Sequence, residues 1–171
     1  MAGDTFAEGA IRKATLKLPV VRLDENAGAV CREILEGLPE WFGVPQAIEA
    51  YAQAAEKKRT VGCLVEGKVA GFAVLRHTSP VASEIYVMAV RKPLQRRGIG
   101  RRLVDVAAQW TLNHGRRFLL AKTLGPSVPS DAYASTRRFY EAMGFLPLEE
   151  LTGVWPGNPC LMMLKLVNKS G

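Results

Sequence analysis

The segment Val90-Arg91-Lys92-Pro93-Leu94-Gln95-Arg96-Arg97-Gly98-Ile99-Gly100 holds the residues whose types and spacing speak most directly of chemistry. An apolar run precedes it and a helical pattern follows, so its two glycines fall at a strand-to-helix turn. The first N–H groups of a helix have no internal partners, and the helix dipole adds partial positive charge there. Glycine lets a ligand approach such a backbone without a Cβ in the way. The combination is a cradle for an anion. The plainer reading is a turn that uses glycine for its own geometry. Arg91, Lys92, Arg96, Arg97, Arg101 and Arg102 stand in and beside it with no acid between them, and they supply all but one of the net charge of +7. The basicity is therefore one patch. A phosphorylated cofactor, a nucleic acid or an anionic membrane would each answer it, and so would a solvated helix end.

Other chemistries fare worse. Gly98-Ile99-Gly100 begins a dinucleotide pattern, but Leu103 stands at the third glycine and the next strand carries Lys122 where an acid would meet a ribose. Gly62 to Val69 nearly spells a P-loop, yet Val69 replaces the magnesium-binding hydroxyl and the segment leads into a strand. The three cysteines, Cys31, Cys63 and Cys160, are odd in number and too far apart for a CxxC site or a disulfide framework. They read as small core hydrophobes. His77 and His114 are isolated in the sequence and read as surface or structural residues. No metal site is expected.

The elements that must position the cradle follow from periodicity. Ala10 to Leu23 reads as a first strand. Helical spacing follows in Ala29, Val30, Ile34 and Leu35, stopped by Gly37 and Pro39, and again from Pro45 with Ile48, Ala52 and Ala55 on one side. Val61–Val65 and Val69–Leu75 flank a hairpin signal at Glu66-Gly67-Lys68, and Glu84–Val90 is a third strand. Ile99, Leu103, Val106, Ala107 and Trp110 stripe a helix ending near Asn113-His114-Gly115. Phe118–Ala121 is a short strand, Leu124 to Ser130 a loop, and Tyr133–Met143 a helix closed by Gly144. Phe145–Val154 and Leu161–Val167 complete the order β-α-α-β-β-β-α-β-α-β-β, a mixed sheet with helices on its faces. With 171 residues, 48% hydrophobic and 23% charged, the chain suits one soluble domain over 1–171. No apolar run reaches the roughly 18–20 residues of a membrane span. Met1 to Lys17 lacks the apolar stretch of a secretory signal, so a reduced, cytoplasmic location is expected and the sequon Asn168-Lys169-Ser170 is a chance match.

Gln95-Arg96-Arg97-Gly98-Ile99-Gly100 resembles the Q/R-x-x-G-x-G/A signature of the GCN5-related N-acetyltransferases (GNAT). The resemblance takes in the strand Glu84–Val90 and resumes at Arg138-Phe139-Tyr140-Glu141-Ala142-Met143-Gly144-Phe145, similar to the family's FYE-x-x-GF motif. It implies a single-domain α/β (α+β) fold: a mixed, mostly antiparallel sheet flanked by about four helices. It further implies acetyl-coenzyme A as acetyl donor, with the pyrophosphate on Gln95, Arg96, Arg97, Gly98, Ile99 and Gly100 and with Arg101 in the surrounding patch. The strand before the loop splays from its neighbour in this family, leaving Met88, Ala89 and Val90 to pair with the pantetheine arm.

The same resemblance implies roles for two side chains. Glu84 stands where the histone-modifying branch has its catalytic glutamate, which makes it the candidate general base. As a residue it also reads as a strand-entry glutamate in solvent, or as one that only orients the amine. Tyr140 is the candidate general acid for the departing thiolate; by spacing alone it is an amphipathic-helix tyrosine on a face with Thr136 and Met143. Where many members carry Asn seven residues earlier, this chain has Tyr133, here grouped with the cofactor contacts. Trp41-Phe42 reads as a core plug or an acceptor-pocket wall, and Trp155 as a pocket rim or a homodimer contact. The expected function is acetyl transfer to a primary amine of a small molecule or protein. The competing readings are a non-catalytic coenzyme- or nucleic-acid-binding module, and an enzyme acting on an RNA-borne amine such as aminoacyl-tRNA. The net charge of +1 outside the patch disfavours nucleic acid.

Overall fold

The computed structural model describes residues 18–168, so the Ala10–Lys17 part of the expected first strand, the Met1–Lys17 leader reading and most of the sequon lie outside it. The elements are β1 (Val20–Arg22), α1 (Ala27–Glu36), α2 (Pro45–Lys57), β2 (Arg59–Val65), β3 (Lys68–Ser79), β4 (Ala82–Val90), a 3-10 turn (Lys92–Leu94), α3 (Ile99–Asn113), β5 (Phe118–Leu124), α4 (Asp131–Ala142), β6 (Leu146–Trp155) and β7 (Asn158–Leu166). They form one seven-stranded sheet in the order β1-β2-β3-β4-β5-β7-β6. All neighbours are antiparallel except β4 and β5. That is the expected mixed, mostly antiparallel sheet with four α-helices.

Each face of the sheet carries its own core. On one face α3 and α4 pack Leu103, Val104, Ala107, Tyr140 and Met143 against Leu75, Ile85, Leu119, Ala121 and Met163. On the other, α1 and α2 pack Ile34, Leu35, Ile48 and Ala55 against Phe72, Val74, Val87 and Ala89. Burial of one stripe per helix is what the apolar spacing of these segments demands.

The strands differ from expectation where the ladder outruns the apolar run. β3 continues past Leu75 because Arg76 pairs opposite Glu84 and His77 opposite Ser83. β5 runs to Leu124 because Lys122, Thr123 and Leu124 pair with Met162, Leu161 and Cys160 of β7. The connection into α4 is correspondingly short, Gly125 to Ser130, and the helix begins at Asp131 with the Ser130 side chain accepting from the Tyr133 N–H.

Candidate active site

β4 and β5 pair only at Ala82–Phe118, Ser83–Leu119, Glu84–Leu120 and Ile85–Ala121. Beyond that point both strands continue, to Val90 and Leu124, without pairing to each other. The sheet opens there into a wedge. Its local cause is Tyr86. The register against β3 steps from Leu75–Ile85 to Val74–Val87, so Tyr86 is one residue too many in β4. A bulge of this kind bends its strand. It also explains why Ile85 and Val87, which strict alternation would put together, belong to the cores on opposite faces. β4 stays bonded to β3 as far as Gly71–Val90, so its edge facing the wedge is the one left open from Tyr86 onward.

At the end of β4 the chain turns into α3 through two left-handed residues, Arg96 at φ 61° and Gly98 at φ 85°. The second is the helix N-cap, a conformation that costs a Cβ-bearing residue roughly 1–2 kcal/mol. The first α3 bond runs from the Arg102 N–H to the Gly98 carbonyl, which leaves the Ile99, Gly100 and Arg101 amides without intrahelical partners. Gly100 also has a packing cause, because a Cβ there would stand 3.0 Å from the Phe139 ring of α4. The anion cradle and the structural turn are thus the same residues.

Two of the expected cofactor contacts are engaged within the protein. The Gln95 amide donates to the Lys92 carbonyl at 3.3 Å, and its side-chain amide donates to the Val90 carbonyl at 3.2 Å. The usable cradle therefore starts at Arg96. The basic patch is narrower as well. Arg91 pairs with Glu33 of α1 at 2.9 Å and Lys92 with Glu40, while the Arg102 Nε donates to the Leu18 carbonyl at 3.3 Å. Arg96, Arg97 and Arg101 are left exposed and, among the described residues, unpaired with any carboxylate. Acids distant in sequence neutralise Arg91 and Lys92, which a local reading cannot detect.

At the apex of the wedge lies Glu84, only 1% exposed, so it is not a strand-entry residue in solvent. Its carboxylate accepts from the Arg76 Nε at 2.6 Å and from the Lys122 Nζ at 2.9 Å. Register dictates the triad: Arg76 is the cross-strand partner of Glu84, and Lys122 stands two residues beyond its β5 partner Leu120, on the same face. The Arg76 guanidinium lies 4.2 Å over the Tyr86 ring. Tyr86 meets Tyr51 of α2 edge-on at 5.5 Å, and Tyr51 meets Phe42 at 6.0 Å. Burial pushes the Tyr51 phenol up to about 12. An aromatic wall thus rises from the triad on the α1–α2 face.

Tyr140 is buried on the other face, between Phe139 and Phe145 at 5.4 and 5.1 Å. Burial first, and the Glu84 charge second, hold its phenol well above its ordinary range. A phenol so placed keeps its proton at neutral pH and is a donor, not a base. Tyr133 donates its hydroxyl to the Trp41 carbonyl at 2.6 Å, and the Trp41 indole donates to Thr136 Oγ1 at 3.0 Å and the Ala132 carbonyl at 3.2 Å. The hydroxyl of Tyr133, a residue grouped with the cofactor contacts, ties the α1–α2 loop to α4. Trp41 packs against the α1–α2 core and is also a bridge between the two helical layers. Sequence reading missed Arg76, the partnership of Lys122 with Glu84, and Thr123, whose buried Oγ1 has no hydrogen-bond partner among the described residues and lies just beyond the last β4–β5 pair. The two histidines, isolated in sequence, meet on the α3 side: His77 stacks on Trp110 at 4.2 Å and lies 5.0 Å from His114.

Among the described residues no three His, Cys, Asp or Glu side chains gather to hold a metal, and no helix is long and apolar enough to cross a membrane. Residues 29–145 match the family model described as Acetyltransferase (GNAT) family. A comparison with curated protein sequences gives no match. Among solved structures, a protein of the GNAT family from Desulfovibrio desulfuricans is 22% identical, with a TM-score of 0.78 over 89% of this chain and 100% of that one. The ribosomal-protein-S18-alanine N-acetyltransferase from Escherichia coli is 18% identical, at a TM-score of 0.71 over 91% of this chain and 97% of that one. A GNAT family acetyltransferase from Elizabethkingia anophelis, solved with acetyl-CoA bound, is 14% identical, at a TM-score of 0.66 over 87% and 97%. Those likenesses show a shared fold, and the match over most of the sequence goes further: the chain belongs to the acetyltransferase (GNAT) family, and its enzymatic class is N-acetyltransferase.

Proposed function

We propose that this acetyltransferase binds acetyl-coenzyme A along the wedge between β4 and β5 and transfers the acetyl group to a primary amine by direct attack. The observation that carries the reading is the meeting of two features at one place. The wedge leaves the β4 edge from Tyr86 to Val90 open, and α3 begins there with three unpartnered amides. Those amides, with Arg96, Arg97 and Arg101, fit the phosphates of the coenzyme. The open strand edge, with the partnerless Thr123 hydroxyl across from it, fits an arm rich in amides. When bound, the coenzyme supplies the thioester carbonyl on which the amine acts.

The residues of the chain then divide the work. A carboxylate has about four acceptor sites, and Arg76 and Lys122 take two of those on Glu84. Because the carboxylate is only 1% exposed, the remainder take the proton of the amine through water. Backbone amides near Met88–Val90 stabilise the charge developing on the carbonyl oxygen. Tyr140, holding its proton, donates to the departing sulfur. The narrowed cation set serves the coenzyme and not a nucleic acid, so RNA binding is weak, shallow in salt and displaced by coenzyme A. A cytoplasmic location accords with three free, buried cysteines.

The test is thermal denaturation with acetyl-coenzyme A, NAD and ATP, followed by thiol release with a screen of amines, peptides and aminoacyl-tRNAs. Acetyl-coenzyme A should raise Tm by mass action and the other two far less. Equal stabilisation by ATP would remove the cofactor assignment.

A further inference from the structure

We infer that the amine acceptor of this cleft carries its own carboxylate two or three bonds from the reacting nitrogen, on an apolar or aromatic body; the inference rests on the acetyltransferase reading above. Its basis is the charge balance at the apex. Glu84 is one carboxylate held between two cations, and among the described residues neither Arg76 nor Lys122 has a second carboxylate within ion-pair distance. The centre therefore retains one positive charge. One cation suffices to neutralise a buried glutamate, so the second leaves a partly exposed positive charge beside it.

The spare donors are accessible. The Arg76 and Lys122 side chains are 32% and 21% exposed, against 2% for Glu84, so both cations keep contact with solvent beside the buried carboxylate. An arginine has five N–H donors and a lysine three; one of each is used on Glu84. Tyr86 holds the guanidinium plane from one side. Because both heads touch the same carboxylate, a nitrogen linked to Glu84 through water has its near neighbours beside them. Only an acceptor with an anionic group close to its amine satisfies both signs at once. The body of such a molecule lies against Tyr86, Tyr51 and Phe42, which offer a continuous aromatic surface. A polyamine meets like charge on entry and is rejected.

The test pairs each amine–carboxylate with its decarboxylated counterpart: L-phenylalanine with phenethylamine, L-tyrosine with tyramine and L-leucine with isopentylamine, with spermidine as the polycation. Thiol release from acetyl-coenzyme A gives kcat/KM for each. At least one amino acid should exceed its counterpart roughly 10- to 100-fold, the weight of one charge-assisted hydrogen bond, and spermidine should be the poorest. Lys122→Met should collapse that ratio toward one mainly through KM, and Lys122→Arg should restore most of it. Arg76→Lys provides a second variant should Lys122→Met not fold. Equal rates within every pair, preference for the counterpart or for spermidine, a ratio that survives Lys122→Met, or turnover of none of the amino acids each overturns the inference. Thermal stabilisation by acetyl-coenzyme A separates the two claims. If it is absent the cofactor reading fails; if it is present with the wrong acceptor preference, only this inference fails.

Discussion

At the α3 end of the cleft the groups that face a ligand are backbone amides, held by a helix N-cap and two left-handed residues. At the Glu84 end they are three charged side chains from three different strands, β3, β4 and β5. The first arrangement depends on chain conformation and constrains substitution only where a side chain would not fit. The second depends on residue identity, so a single exchange rewrites its charge. A site for a fixed cofactor suits the first construction. A site whose occupant varies between relatives suits the second.

The contrast can be broken most forcefully at Tyr140, which lies between the two ends. Tyr140→Phe keeps the ring between Phe139 and Phe145 and removes the donor, so kcat should fall about 100-fold with coenzyme affinity unchanged. Near-normal turnover would end the general-acid role. Next in size is Gly100→Leu. It forces atoms into the Phe139 ring and should cost about 2 kcal/mol of stability by overpacking, read by urea denaturation, with weaker coenzyme binding following. Gly98→Ala should cost about 1 kcal/mol, from its positive φ alone.

Glu84→Gln tests the other end. It should lower kcat/KM about tenfold, as when one charge-assisted bond is lost, while coenzyme binding stays intact. A loss of coenzyme affinity in this variant would show that the two ends are not separate sites. The smallest effect belongs to His77, next to Arg76 but on the α3 face. Burial, then the charges of Arg116 and His114, lower its pKa below the usual 6.5. The unfolded chain therefore binds this proton more readily than the folded one. The stability it contributes is complete above about pH 6.5 and is lost as pH falls through the depressed folded value. His77→Gln should flatten that acid-side decline in Tm without touching the pH–rate profile.

The backbone end was legible in the sequence and the side-chain end was not. Gly98, Gly100 and the apolar stripe of α3 are local signals, and the order of all seven strands and four helices follows from period and punctuation. The wedge could be expected from the family resemblance, but the Tyr86 bulge that makes it leaves no compositional mark. Arg76 and Lys122 sit in strands where their charge reads only as an interruption of an apolar run, and β-register is what brings them to Glu84. The same holds for Trp41, whose partners on α4 lie about ninety residues away, and for Glu33 and Glu40, which remove two cations from the patch.

The four residue pairs that join β4 to β5 also have a mechanical meaning. With the bonds from the Arg117 and Phe118 N–H groups to the Val81 carbonyl, they form the backbone seam, among the described residues, between a four-stranded panel, β1 to β4, and a three-stranded panel, β5 to β7. Side chains reinforce that seam: Arg76 and Glu84 belong to one panel and Lys122 to the other, so the ion triad is a staple across the fold as well as the floor of the cleft. An acceptor carboxylate that takes only the spare donors of Arg76 and Lys122 leaves the staple in place. The Trp41–α4 bridge is a second fastening between the same two panels, made by side chains on the opposite side of the open strand edges from the four-pair seam.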